Sequence, residues 1–235
     1  MLPKITMTVT SCKRYNLLEQ TIKSFFECCL DADCIEKIIL VDDNSNPEDL
    51  HKINLLLRST NKPYVLIHKS EQLKGHTESL NILYDLAKTD YMLHLEDDWL
   101  FTIKDNFITK AFTVMAIDKM IKQVLFRVNP DIMALGQITE KTKDGIEYIR
   151  YNYVGQHARD NRNRPAWSGW NLNPALWKLS DIKSLGKFVP DKSNFEYDYS
   201  RRFWKNGFKV SYFTKNYCEH IGEENSSYKL NNTKK

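Results

Sequence analysis

Tyr91-Met92-Leu93-His94-Leu95-Glu96-Asp97-Asp98-Trp99 is a short apolar run that ends in three consecutive carboxylates. The run reads as a buried strand. Three adjacent carboxylates repel one another, which is costly unless a cation sits among them. Oxygen ligands suit hard ions such as Mg²⁺ or Mn²⁺, which keep open positions for phosphate oxygens. Side chains alternate along an extended segment, so Glu96 and Asp98 are expected on one face and Asp97 on the other. The alternative is a solvated acidic turn. Placement at the end of a buried strand favours a site for a metal ion and substrate phosphates.

The segments before this run alternate between strand and helix periodicities. Ile5 to Thr10 is rich in β-branched residues and predicts a strand. Leu18, Ile22, Phe25, Phe26 and Cys29 recur at helical spacing. Lys37 to Val41 reads as a strand covered on both faces, and Asp42-Asp43-Asn44-Ser45-Asn46-Pro47 is turn chemistry before a helix through Leu57. Tyr64 to His68 predicts a third strand, and Gly75 opens a helix carrying Leu80, Leu83, Tyr84 and Ala87. This order predicts an α/β fold with a mostly parallel central sheet. In such sheets ligands sit beyond the carboxyl ends of the strands. The polar residues Thr10-Ser11, Asp42-Asp43 and Glu96-Asp97-Asp98 fall at those ends. After about residue 105 the pattern loosens. A helix is expected from Phe107 to about Ile121, a strand near Val124 to Asn129 and another over Tyr148 to Val154. One domain is expected over residues 1–230, divided near residue 103, with a flexible tail at 231–235.

Composition agrees with a packed enzyme-sized domain: of 235 residues, 42% are hydrophobic and 12% aromatic. The net charge of +4 comes from basic residues spread along the chain. That argues against a nucleic-acid binder and accommodates an anionic small molecule. Cys12, Cys28, Cys29, Cys34 and Cys218 are odd in number and lack CxxC spacing, so free thiols in a reducing compartment are expected. No apolar run reaches the roughly eighteen residues of a membrane span, and no apolar signal region opens the chain. A cytoplasmic location is expected, with peripheral membrane association as the alternative.

Other constellations carry chemistry. Asp42 and Asp43 at a strand end suit a nucleoside base or ribose, or else an Asx-turn that caps the next helix. Gly75-His76-Thr77-Glu78-Ser79-Leu80-Asn81 places a helix N-terminus where its free N–H groups can meet a diphosphate, with His76 as an added contact; a plain helix cap is the alternative. Trp167-Ser168-Gly169-Trp170-Asn171 offers aromatic faces for sugar stacking, or core packing. Arg159 to Pro165 is a basic stretch suited to a loop over the diphosphate or a solvated loop.

Taken together, Thr10-Ser11, Val41-Asp42-Asp43-Asn44-Ser45, Gly75 through Asn81 and Glu96-Asp97-Asp98 resemble the nucleotide-binding half of the GT-A glycosyltransferases, in particular the family 2 group. The order and spacing match over about residues 4 to 101, with Glu96 standing where the first Asp of a DxD motif is usual. The resemblance implies a GT-A fold and a Rossmann-like sheet. It implies donor contacts from Thr10, Ser11, Arg14, Asp42, Asp43, Gly75, His76, Asn81, Glu96, Asp97 and Trp170. It also implies a Mn²⁺ or Mg²⁺ ion held by Asp98, Glu96 and His220.

For the second half, the resemblance implies a catalytic carboxylate in Phe195-Glu196-Tyr197-Asp198-Tyr199-Ser200-Arg201-Arg202, with Glu196 favoured over Asp198. The implied reaction moves a sugar from a nucleotide-diphosphate donor, UDP-linked by the family's habit with GDP and dTDP as alternatives. The acceptor is a hydroxyl on a glycan or related molecule, and the anomeric centre inverts. Two other readings are an inactive sugar-nucleotide-binding homologue and a nucleotidyltransferase. Thr10-Ser11-Cys12-Lys13-Arg14 lacks the Gly-rich signature of the latter.

Overall fold

The computed structural model describes residues 2–128, 138–151, 167–190 and 194–222. The elements run β1 (Ile5–Ser11), α1 (Tyr15–Cys28), β2 (Ile35–Asp42), α2 (Pro47–Ser59), β3 (Tyr64–His68), α3 (His76–Leu86), β4 (Tyr91–Glu96) and β5 (Trp99–Phe101). They continue with α4 (Phe107–Ile117), β6 (Ile121–Leu125), β7 (Ile138–Lys141), β8 (Glu147–Arg150), β9 (Ala175–Lys178), α5 (Leu179–Lys183), α6 (Phe195–Lys205), β10 (Lys209–Phe213) and β11 (Cys218–His220).

Among the described residues the main sheet has nine strands in the order β3-β2-β1-β4-β9-β6-β10-β8-β7. Strands β3, β2, β1 and β4 are mutually parallel. Strand β9 then runs antiparallel between β4 and β6, β10 lies parallel to β6, and β8 and β7 finish the sheet antiparallel. A mixed sheet with a parallel nucleus results, as the alternation of strand and helix predicts.

Strand alternation distributes the core over both faces. Ile38, Leu40, Leu93 and Leu95 join one buried cluster with Leu18, Ile22 and Phe25 of α1 and Ile53 and Leu57 of α2. Ile39, Val41 and Met92 join a second cluster with Leu80, Leu83 and Tyr84 of α3 and Tyr199 and Phe203 of α6. Helices therefore cover the parallel strands on both sides, which is why Ile38 to Val41 of β2 reads as an unbroken apolar run. Asn46 caps α2 by accepting from the Asp49 amide at 2.8 Å, with Pro47 at the first helical position.

The second half differs from its sequence reading in several places. The helix from Phe107 stops at Ile117, not Ile121. The Asp118 carboxylate accepts from the Met120 amide at 2.8 Å and its carbonyl from the Ile121 amide at 2.9 Å, so a tight turn delivers Ile121 into β6. Strand β6 thus begins three residues before the expected Val124. Strand β8 ends at Arg150, short of the expected Val154. Residues 152–154, 159–165 and the tail at 231–235 lie outside the described residues. Strands β5, β7, β9, β10 and β11 had no counterpart in the sequence reading.

Candidate functional site

The parallel strands all end at one edge, and there they line a cleft of about 720 Å³. Its walls include Thr10 and Ser11 at the end of β1 with Arg14 beyond, Asp43 after β2, Gly75 and His76 at the start of α3, Glu96 at the end of β4 with Asp97 beyond, and Phe195 at the start of α6. The volume falls in the range of about 300–1,000 Å³ usual for small-molecule sites.

The two aspartates after β2 have separate tasks. Asp42 is fully buried and accepts from the Ser45 amide at 2.8 Å, the Ser45 hydroxyl at 2.6 Å and His68 Nδ1 at 3.1 Å. That is the turn-capping alternative, and its carboxylate is spent inside the protein. Asp43 faces the cleft. It accepts from the Gly75 amide at 2.9 Å, and Lys69 Nζ lies 3.1 Å from its Oδ1. Lys69 is almost wholly buried and donates to the Gly75 carbonyl at 2.8 Å. The ends of β2 and β3 and the start of α3 are thereby tied around one ammonium. The sequence reading passed over Lys69. The available signal was a basic residue directly after a strand, at the same sheet edge as the acids.

Asn81 and Trp170 lie away from the cleft. Asn81 is buried and exchanges two hydrogen bonds with the Phe188 backbone, at 3.0 and 2.9 Å. Trp170 is fully buried, with ring centroids of Trp177, Phe188 and Tyr199 at 5.4, 5.7 and 4.6 Å. No face of its ring is open to stack on a sugar, so the core alternative is the one realised.

At the acidic cluster, β4 ends at Glu96 and the chain bends at Asp97. The strand alternation that would separate Asp97 from Asp98 therefore stops one residue early. One side chain, Arg14, reaches both: it pairs with Asp97 Oδ1 and donates to Asp98 Oδ2 at 2.9 Å. The Cys12 amide adds a bond to Asp97 Oδ2 at 3.0 Å. Burial pushes Asp97 up to about 6 against the pull of Arg14. Burial also raises Asp98, yet bonds from His220 and Arg14 outweigh it and hold Asp98 below the ordinary carboxylate value. Burial, then the negative charges of Asp98 and Glu196, push Glu96 well above its ordinary value. His76 Nε2 lies 3.8 Å from Glu96 Oε1. Burial and the nearby Lys69 lower His76 to about 4, so at neutral pH its ring is an uncharged donor.

His220 arrives by a strand pairing. Strand β11 runs antiparallel to β5 with His220 opposite Trp99, and the Ile221 amide donates to the Asp98 carbonyl at 2.9 Å. His220 Nε2 then lies 3.2 Å from Asp98 Oδ2. Gly222 follows so closely that a Cβ there would overlap the Asp98 carboxylate, another position the sequence reading did not mark. Among the described residues no three His, Cys, Asp or Glu side chains are gathered as a complete metal cage. Asp98 and His220 do form a carboxylate–imidazole pair, and Asp98 Oδ1 is buried with no hydrogen-bond partner. That pair fits a hard cation that takes the rest of its shell from phosphate oxygens and water.

Glu196 sits in the first turn of α6, which Asn194 caps by accepting from the Tyr197 amide at 3.0 Å. Its Oε1 accepts from the Leu172 amide at 3.1 Å, and burial raises the group to about 7. Its charge is felt at Glu96, so it belongs to the same electrostatic site. Asp198, two residues on, pairs instead with Arg202 Nε at 3.2 Å.

The family model described as Glycosyl transferase family 2 matches residues 7–165, which run from β1 past the acidic cluster. The chain belongs to glycosyl transferase family 2. No curated protein sequence matches it. Among solved structures, the family 2 chain is similar to the mannosyltransferase PcManGT from Pyrobaculum calidifontis in complex with GDP-Man and Mn²⁺, at 15% identity and TM-score 0.68, covering 98% of this chain and 60% of that one. It is similar also to S. aureus TarS 1-349, at 13% identity and TM-score 0.65, covering 94% of this chain and 61% of that one. A third is GalNAc-T7 with UDP, GalNAc and Mn²⁺, at 14% identity and TM-score 0.63, covering 90% of this chain and 42% of that one. These likenesses establish the GT-A fold, and the family 2 chain spans less than two thirds of each of these structures. The match ends at residue 165, so Glu196 and His220 stand beyond it. Among the described residues no helix is long and apolar enough to cross a membrane.

Proposed function

We propose that this chain transfers a glycosyl group from a nucleotide-diphosphate sugar, UDP-linked in the first instance, to a hydroxyl acceptor on a glycan or related molecule, with inversion. The observation that carries the reading is the cleft at the strand ends, which the acidic cluster and the start of α3 both line and in which Glu96 lies within electrostatic reach of Glu196. Two of the similar structures contain a nucleotide or nucleotide sugar together with Mn²⁺.

The geometry supports the following roles. Asp43, fixed by Gly75 and Lys69, faces the nucleoside end. The N-terminus of α3 turns its free amides and the neutral His76 ring toward the diphosphate. Asp98 and His220 are the residues that would hold Mn²⁺ or Mg²⁺, and a bound cation would offset the charge that develops on the departing diphosphate. Glu196 takes the proton from the acceptor hydroxyl as it attacks the anomeric carbon; its value of about 7 suits a base at neutral pH. Direct displacement inverts that carbon. Asp198 serves the helix through Arg202 and is not the base. Glu96, with its raised value, shapes the acidic wall of the cleft.

The test is release of UDP from a panel of UDP-, GDP- and dTDP-sugars with Mn²⁺ or Mg²⁺ and a set of glycan acceptors. Pyrophosphate release would indicate nucleotidyl transfer instead. Donor binding with no turnover on any acceptor would indicate an inactive binding protein.

A further inference from the structure

Arg14 leaves β1 across a tight corner. Lys13 occupies the left-handed region with φ +55°, and its amide donates to Ser45 Oγ at 3.1 Å. Together with the bond from the Cys12 amide to Asp97, this pins the corner on two sides. The Arg14 side chain is thereby aimed across the strand ends at the acidic cluster, where it is largely buried. Its guanidinium meets Asp97 through Nη2 and, more distantly, through Nε at 3.4 Å, while Nη1 takes Asp98 Oδ2 at 2.9 Å. A planar fork suits carboxylate oxygens, and it suits phosphate oxygens equally.

Asp98 is thus held on one oxygen and open on the other. Arg14 and His220 share Oδ2, and Oδ1 is buried without a partner. A divalent ion approaching Oδ1 meets a fixed positive charge beside it in a site with little water, where like charges repel strongly. The His220 imidazole has a nitrogen that can itself ligate the ion, which a guanidinium lacks. Arg14 also lines the cleft in which the diphosphate would lie.

We propose that Arg14 is a built-in competitor for the divalent cation at Asp98, displaced when a donor diphosphate takes its guanidinium. The inference rests on the acidic cluster being the metal site. Cation alone then binds weakly, and cation and nucleotide each tighten the other's binding by one common factor, as linkage requires.

The experiment is calorimetric titration of the full chain with MnCl₂, with and without UDP. Wild type should bind Mn²⁺ weakly alone and more tightly with UDP. Arg14→Gln should bind Mn²⁺ alone about tenfold more tightly, with less enhancement by UDP, because a competing charge is gone. Arg14→Lys keeps the charge and should stay near wild type. Equal or weaker Mn²⁺ binding by Arg14→Gln overturns the competition while leaving the metal site standing. No Mn²⁺ binding by wild type or by Arg14→Gln, with or without UDP, overturns both. Should Arg14→Gln fail to fold, the wild-type Arg14 Nε–H resonance, assigned through its loss in Arg14→Lys, decides the matter. It must shift at saturating Mg²⁺ and UDP, and an unmoved resonance sinks the proposal.

Discussion

Strands β3, β2, β1 and β4 run parallel and are fully legible one by one, whereas β9, β6, β10, β8 and β7 mix directions and were largely hidden. The two regions also divide the work. The parallel strands end in polar residues and build the walls of the cleft. The mixed strands bury aromatic side chains such as Trp177 and Tyr212, and this half also contributes Glu196 and His220 to the site's edge. On the proposed reading, donor binding falls mainly to the parallel strands and the base to α6, which lies outside the main sheet. Damage to each should then appear in a different kinetic constant.

The largest effect is expected at Glu196. Glu196→Gln should lower kcat by about a hundredfold to ten-thousandfold, the usual contribution of a general base. UDP affinity should remain within a few-fold, measured by calorimetry. A variant that retains full turnover would dissolve the division, since the second region would then supply no base. Gly222→Ala probes the seam between the regions. Its new methyl overlaps the Asp98 carboxylate, and a displacement of about 1 Å in such a site costs about a hundredfold. Transfer should fall by that order and lose its response to added Mn²⁺, with the far-UV spectrum unchanged.

Lys69→Met tests the first region alone. It strips a buried charged partner from Asp43 and Gly75, a loss of the size that weakens binding by about tenfold. The donor KM should rise by that factor with kcat nearly constant, and Lys69→Arg should recover part of it. If kcat falls and KM does not, the nucleoside end is misassigned.

The smallest effects concern pH. As the proposed base, Glu196 acts deprotonated, so activity should rise as pH passes through about 7, and this limb should vanish from the residual activity of Glu196→Gln. Stability runs the other way. The folded value lies above the ordinary 4.5, so the stability this group contributes is present below about pH 4.5 and is lost as pH rises through about 7. Glu196→Gln should therefore melt higher than wild type at pH 8, with little difference at pH 4. An equal difference at both pH values would mean the carboxyl is not held in its protonated form.

Legibility followed the range of the interactions. Each parallel strand carries its own local pattern and ends in polar residues, acidic ones after β2 and β4, so Ile39 or Leu93 announces burial without reference to distant chain. Strand β9 is only Ala175–Lys178, and it is a strand because β4 and β6 hold it on either side. Strand β11 is three residues long and exists through its pairing with β5, more than a hundred residues earlier. Periodicity needs length to register, and these segments have none to give. Trp170 reads equally well as a sugar platform or as core, because composition records an aromatic ring and not which faces are covered.

The sequence by itself determined the parallel nucleus, the strand-end position of Asp43, Glu96, Asp97 and Asp98, and the acidic first turn containing Glu196. These follow from local periodicity and from residue chemistry at element ends. Only the tertiary structure decided that Asp42 is spent on Ser45 and His68, that Lys69 ties Asp43 to Gly75, and that Arg14 spans Asp97 and Asp98. Pairing of β11 with β5 likewise set His220 against Asp98. Each of these depends on which oxygen meets which donor once strands distant in sequence are brought side by side. Coulomb and hydrogen-bond energies change over one or two ångströms, a distance that no spacing along the chain encodes.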